Sequence, residues 1–155
     1  MMKLGDNKAI FDINKKQVIV EIGKTSYGEA YRAFADNTIA FTIPNVRGEA
    51  KITVTDEFYG IDYADITLTF VDSILKSITV NPLWKAIKEL DDRFDIRAIK
   101  AKCEAILSAN FEKVSDMYSV VTFEADELVI TSLLTSNSEY DNYYLITSRP
   151  DKDYF

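Results

Sequence analysis

The strongest constraint on this chain is a two-residue alternation of apolar and polar side chains that returns in run after run. Residues 64–70 carry it most cleanly: Ala64, Ile66, Leu68 and Phe70 alternate with Asp65, Thr67 and Thr69. Successive side chains of a strand point to opposite faces, so this run predicts a β-strand with one buried and one wet face, as in antiparallel sheets. Ile39, Phe41 and Ile43 repeat the period ahead of Pro44, and Ala50, Ile52 and Val54 repeat it between Lys51, Thr53 and Thr55. A fourth run, 74–80, follows the tight turn Val71-Asp72-Ser73. These four predict an antiparallel meander. Upstream, 10–13 and 17–20 flank Asn14-Lys15-Lys16 as a hairpin; downstream, 118–123 and 128–134 flank Glu124-Ala125-Asp126-Glu127 as another. A polar loop, 135–141, then leads to a last strand at 142–147.

Between these runs the period changes to that of a helix. Ser26 followed by Glu29 forms a capping box, and Tyr27, Ala30, Tyr31, Ala33 and Phe34 continue a 3.6-residue spacing to about Asp36. Asn81-Pro82 reads as an N-cap and first helical position, with Leu83, Ile87, Leu90 and Phe94 on one stripe and Trp84 beside it. Asp95 caps a further helix on which Ile96, Ile99, Cys103 and Ile106 share a stripe extended by Leu107 and Phe111. The predicted order is ββ-α-ββββ-αα-βββ. Strands segregated from helices make this an α+β chain, with helices packed on one or more antiparallel meanders. A single domain over 1–155 is expected, and two pseudo-repeated helix-then-sheet halves, 17–80 and 82–148, are an allowed subdivision of it.

Two of these stretches resemble a known superfamily. Ile22-Gly23-Lys24-Thr25-Ser26-Tyr27-Gly28-Glu29-Ala30 is similar to the helix entry of the modules found in β-lactamase inhibitory protein and the small outer-membrane assembly lipoproteins. Residues 64–72 followed by Leu75-Lys76-Ser77-Ile78 are similar to their strand-turn-strand. The resemblance covers 22–36 and 64–80, about a fifth of the chain. It implies a helix-plus-meander module that binds or scaffolds rather than catalyses. Members of that group are exported, whereas Met1 to Lys8 is polar and has no apolar signal core. A cytoplasmic location is therefore expected, with export only for a processed form.

The functional expectations rest on what the residues can do. No histidine is present, which removes the commonest general base, the Ser-His-Asp and Cys-His arrangements and most zinc and iron sites. The five glycines, at 5, 23, 28, 48 and 60, build no phosphate-cradling loop. No catalytic residue, cofactor or metal site is expected. Asp91, Asp92 and Asp95, or Asp56, Glu57, Asp62 and Asp65, are the carboxylates from which a metal-dependent or glycosidic enzyme would have to be built; as solvated turns and caps they need no such role. Cys103 reads as a small buried apolar residue. The net charge of −7 argues against nucleic acid, and no run is long enough to insert in a membrane. Residues 111–155 hold 9 acids against 3 bases. There Tyr140, Asp141, Tyr143 and Tyr144, with Trp84 elsewhere, are the candidate contacts for a basic protein partner. The expected function is a non-catalytic interaction module, an inhibitor or adaptor. The alternatives are the small carboxylate enzyme and a structural subunit of an assembly.

Overall fold

The alternating runs become the strands of one large sheet. A computed structural model describes residues 1–13, 15–82, 96–117, 120–134 and 142–148. Its elements are β1 (Lys3–Gly5), β2 (Lys8–Ile13), β3 (Lys16–Glu21), α1 (Tyr27–Phe34), a 3-10 turn (Ala35–Asn37), β4 (Thr38–Thr42), β5 (Glu49–Phe58), β6 (Ile61–Val71), β7 (Ile74–Pro82), α2 (Ile96–Asn110), β8 (Glu112–Met117), β9 (Val120–Ala125), β10 (Leu128–Leu134) and β11 (Asn142–Ser148). Strands β1–β3 form a small sheet of their own, and the other eight form a single sheet in the order β4-β5-β6-β7-β11-β10-β9-β8. Every strand pairing is antiparallel. The fold is α+β and mostly β.

Register shows where the core lies. Phe41, Ile52, Leu68, Ile78, Ile146, Ile130 and Phe123 are successive cross-strand partners from β4 to β9. All but Phe41 have no exposed surface. Burying one such aliphatic or aromatic side chain contributes roughly 1.5–3 kcal/mol, so this row alone is a large part of the driving force. Against the same side lies α1, whose Ala30 and Phe34 are buried, with Phe34 edge-on to Phe11 of β2 at 5.1 Å and Tyr27 edge-on to Phe70 at 5.5 Å. Leu107 of α2 joins the same buried cluster. The small sheet contributes Ala9, Phe11, Val18 and Val20, and Met2 bridges to Phe58.

Local chemistry sets the ends of these elements. Ser26 is the N-cap of α1: its Oγ accepts from the Glu29 N–H at 3.2 Å, and lies 3.0 Å from Glu29 Oε1. The β6–β7 connection is the two-residue turn Asp72-Ser73, both residues left-handed at φ 51 and 70, as the twist of a tight hairpin requires. Its tip is knitted to its surroundings: Tyr27 N–H donates to Ser73 O, Leu75 N–H to Thr25 O, and Asp72 N–H to Gly48 O.

Several expectations are corrected. Asn81 and Pro82 close β7, opposite Asp65 and Ala64 of β6, and do not start a helix. A cap signal is worth only about 1 kcal/mol, and the long β6 offers a ladder that outweighs it. Pro82 lies beyond Val80, the last residue of β7 paired with β11, where a missing N–H is tolerated. The polar start forms β1, and Glu112–Met117 forms β8; neither run alternates clearly enough to read as a strand. The second hairpin turns on Asp126-Glu127 alone. The helical stripe expected over 83–94, and the tail after Pro150, lie outside the described residues.

Candidate interaction surface

The side of the sheet opposite the core is built by the other half of each alternation. Ala40, Thr53, Thr67, Thr79, Leu145, Thr131, Thr122 and Ser115 are successive partners across all eight strands. Thr53, Thr67, Thr79, Thr131, Thr122 and Ser115 are partly exposed. Thr53 and Thr67 join their hydroxyls at 3.0 Å, and Thr55 donates to Asp65 Oδ1 at 3.3 Å. A flanking row carries Lys51, Thr69 and Ser77 on one half of the sheet and Thr147, Val129, Glu124 and Glu112 on the other. The rows of this side carry Glu49, Asp65, Glu112 and Glu124 against Lys51, which is 3.5 Å from Glu49, and the exposed Lys76 stands at the β7 bulge beside Ser77. The surface is therefore a hydroxyl-rich plane with an acidic excess.

Its dimensions follow from strand geometry. Eight strands at about 4.8 Å and three outward residues per strand make a plane of about 38 Å by 20 Å, roughly 750 Å². A standard protein–protein interface buries about 800 Å² per partner.

The residues singled out from sequence distribute unevenly. Tyr140, Asp141 and Trp84 lie outside the described residues, as do Asp91, Asp92 and Asp95. Tyr143 and Tyr144 are neighbours on β11, next to the centre of the sheet. Tyr144 is in register with Val80, which belongs to the buried side, and with Ser132; Tyr143 pairs with Leu133. Consecutive strand residues belong to opposite sides. The threonines were legible as the polar half of the alternating runs, but not as one continuous row, because that depends on how β7 meets β11.

The other candidates take structural places. Cys103 falls within α2. Asp56 lies with Oδ1 3.5 Å from the Met1 amino group, accepts from the Glu57 N–H, and keeps Oδ2 buried. Among the described residues no group of three or more His, Cys, Asp or Glu is placed to hold a metal ion, and no helix is long and apolar enough to cross a membrane. A cleft of about 210 Å³ between the β2–β3 hairpin and the end of α1 is lined by Ile13, Lys16, Val18, Arg32 and Phe34 among others, and no carboxylate reaches it. Tyr59, in the β5–β6 turn, accepts a hydrogen bond from Leu4 N–H at 2.8 Å and packs edge-on to Phe111 at 4.9 Å. Burial, reinforced by the charge of Asp126, raises its phenol above the ordinary tyrosine value of 10.0, although the bond from Leu4 opposes this.

In comparisons with known proteins, no family model, no curated protein and no solved structure matches the chain.

Proposed function

We propose that the chain is a non-catalytic protein-interaction module that presents the threonine-rich side of its large sheet to a basic protein partner, as an inhibitor or adaptor does. The observation carrying this reading is the continuous outward row from Ala40 to Ser115, wide enough for one standard interface and fringed by more acids than bases. Threonine suits such a role, since a short branched side chain loses little entropy when covered and offers both a methyl and a hydroxyl. Acids at the fringe speed encounter with a cationic surface and favour it over an anionic one. The same reading takes residues 17–80 and 82–148 as two helix-then-meander modules joined edge to edge. The sheet order supports it, because β4–β7 and β11–β8 run outward from the β7–β11 seam in mirrored sequence. It also agrees with the resemblance to the inhibitory-protein and lipoprotein modules.

The test is retention of basic proteins at low salt on the immobilised full chain. Asp65→Lys combined with Glu124→Lys should abolish it, and Tyr143→Ala, alone or with Asp141→Lys, should weaken it while the far-ultraviolet circular dichroism is unchanged. Equal retention by all of these chains sinks the reading.

A further inference from the structure

The β5–β6 hairpin outruns the strands on either side of it. Pairing of β4 with β5 goes no further than Val54, opposite Thr38, and pairing of β7 with β6 no further than Ala64, opposite Pro82. Beyond these limits the hairpin continues as an arm, residues 57–63, which turns on Tyr59-Gly60 with both residues left-handed at φ 44 and 92. The register shifts between Asp56 and Phe58, and a bulge bends the strand that carries it.

The bent arm crosses the buried side of the sheet. In the sheet order β6 and β8 are five strand spacings apart, about 24 Å. Yet the Tyr59 ring stands edge-on to Phe111, immediately before β8, at 4.9 Å. Phe58 and Ile61 of the arm belong to the core cluster. The start of the chain straps the arm in this position. Met2 N–H donates to Glu57 O at 2.8 Å and Leu4 N–H to the Tyr59 hydroxyl at 2.8 Å. Two residues on, Asp6 N–H donates to Asp126 Oδ2 at 3.1 Å and Asp6 O accepts from Glu127 N–H at 3.2 Å. Residues 2–6 thus tie the tip of the arm to the β9–β10 turn.

This closure is weakly held. The bond at Leu4 is only part-buried and the one at Asp6 is exposed, and hydrogen bonds in reach of water open at low cost. At the bulge, Asp56 keeps Oδ2 buried with no hydrogen-bond partner among the described residues, a penalty that hydration removes once the arm swings out.

We propose that the arm 57–63 and the strap 2–6 form one latch, which opens as a unit about the bulge at Asp56 and Phe58 while the rest of the sheet stays folded. Opening uncovers the apolar surface of Phe58, Ile61 and Phe111. The latch is independent of what the threonine-rich side binds.

The experiment is native-state hydrogen exchange of the full chain in sub-denaturing urea. The amides of Leu4, Asp6 and Ile61 should share one opening equilibrium, at least about tenfold more populated than the one that exposes Leu68. Tyr59→Phe removes the acceptor for Leu4 and keeps the ring, and should speed all three amides alike by about fivefold to tenfold. Asp126→Ala, at the far end of the strap, should speed Ile61 as much as it speeds Asp6. Ile78→Val, in the core row outside the latch, should speed Leu68 by about threefold or more and leave the three latch amides unchanged. Latch amides that exchange only together with Leu68 overturn the proposal, as does an Ile78→Val chain in which all four speed up alike. So does an Asp126→Ala chain in which Asp6 speeds up and Ile61 does not, since strap and arm then open separately.

Discussion

At one end of the large sheet the apolar row stops on Phe41 of β4; at the other it stops on Lys113 of β8, the partner of Phe123. Lys113 Nζ lies 2.9 Å from Asp116 Oδ2, and the register of β8 shifts between Lys113 and Ser115, around a half-exposed Val114. A lysine and a bulge on an edge strand both discourage another strand from adding to it. β4 also shifts register, between Thr38 and Ala40, but the bulge precedes Phe41 and leaves Ala40-Phe41-Thr42 in regular pairing. The two ends differ in where the bulge falls and in the side chain that ends the row. A lysine ends the row at one side and a half-exposed phenylalanine at the other.

The largest effect should separate interior from edge. Phe123→Ala, at a fully buried position, should cost about 3–5 kcal/mol in urea unfolding. Phe41→Ala should cost about 1 kcal/mol, because half of its surface already meets water. Equal losses would mean that Phe41 is as enclosed as Phe123, and the contrast between the ends would fail. Next comes the loop that carries Val46. Gly48 is left-handed at φ 73, and a Cβ there would sit 2.5 Å from Asp72 Oδ1, so Gly48→Ala should cost about 1–3 kcal/mol. Adding Asp72→Gly should recover the part due to the clash but not the part due to backbone strain. A double-mutant cycle measures the division.

A smaller effect belongs to the β8 end, where Tyr59 packs on Phe111 immediately before β8. Its phenol titrates above 10.0 when folded, so the unfolded chain loses that proton first. The contribution of Tyr59 is therefore complete below about pH 10 and declines as pH rises from there toward the folded value. Tyr59→Phe should flatten this alkaline decline in denaturation midpoints measured across that range. The smallest effect on stability should come from Lys113→Val, which should leave the melting temperature unchanged. Its signature would be association in light scattering, as the guarded end acquires the character of the open one.

Much of this architecture is written in local pattern. Ala64 to Phe70 predicts β6 and both of its faces, Ser26 with Glu29 predicts the start of α1, and Asp72-Ser73 predicts its hairpin. The misreadings occur where a long-range partner overrides a local signal. Asn81-Pro82 carries a helix-start signature and becomes strand because β6 continues opposite it. Glu112-Lys113-Val114-Ser115-Asp116-Met117 has too little apolar alternation to read as a strand, for the same reason that it makes a guarded edge. The candidate surface was half legible. The wet side of each strand follows from its threonines, but the sequence gives no sign that β7 pairs with β11, which joins the strands into one plane. The exposure of Phe41 was hidden because periodicity shows which residues share a side and not which strand lacks a neighbour.

The β1–β2 turn has a consequence for how the chain is made. Asp6 N–H donates to Asp126, Glu127 N–H donates to Asp6 O, and Ser148 donates to Asn7, across 120 to 141 residues of sequence. On a ribosome these residues emerge long before the partners that they bond. Contacts this distant slow folding and prolong the exposure of apolar surface.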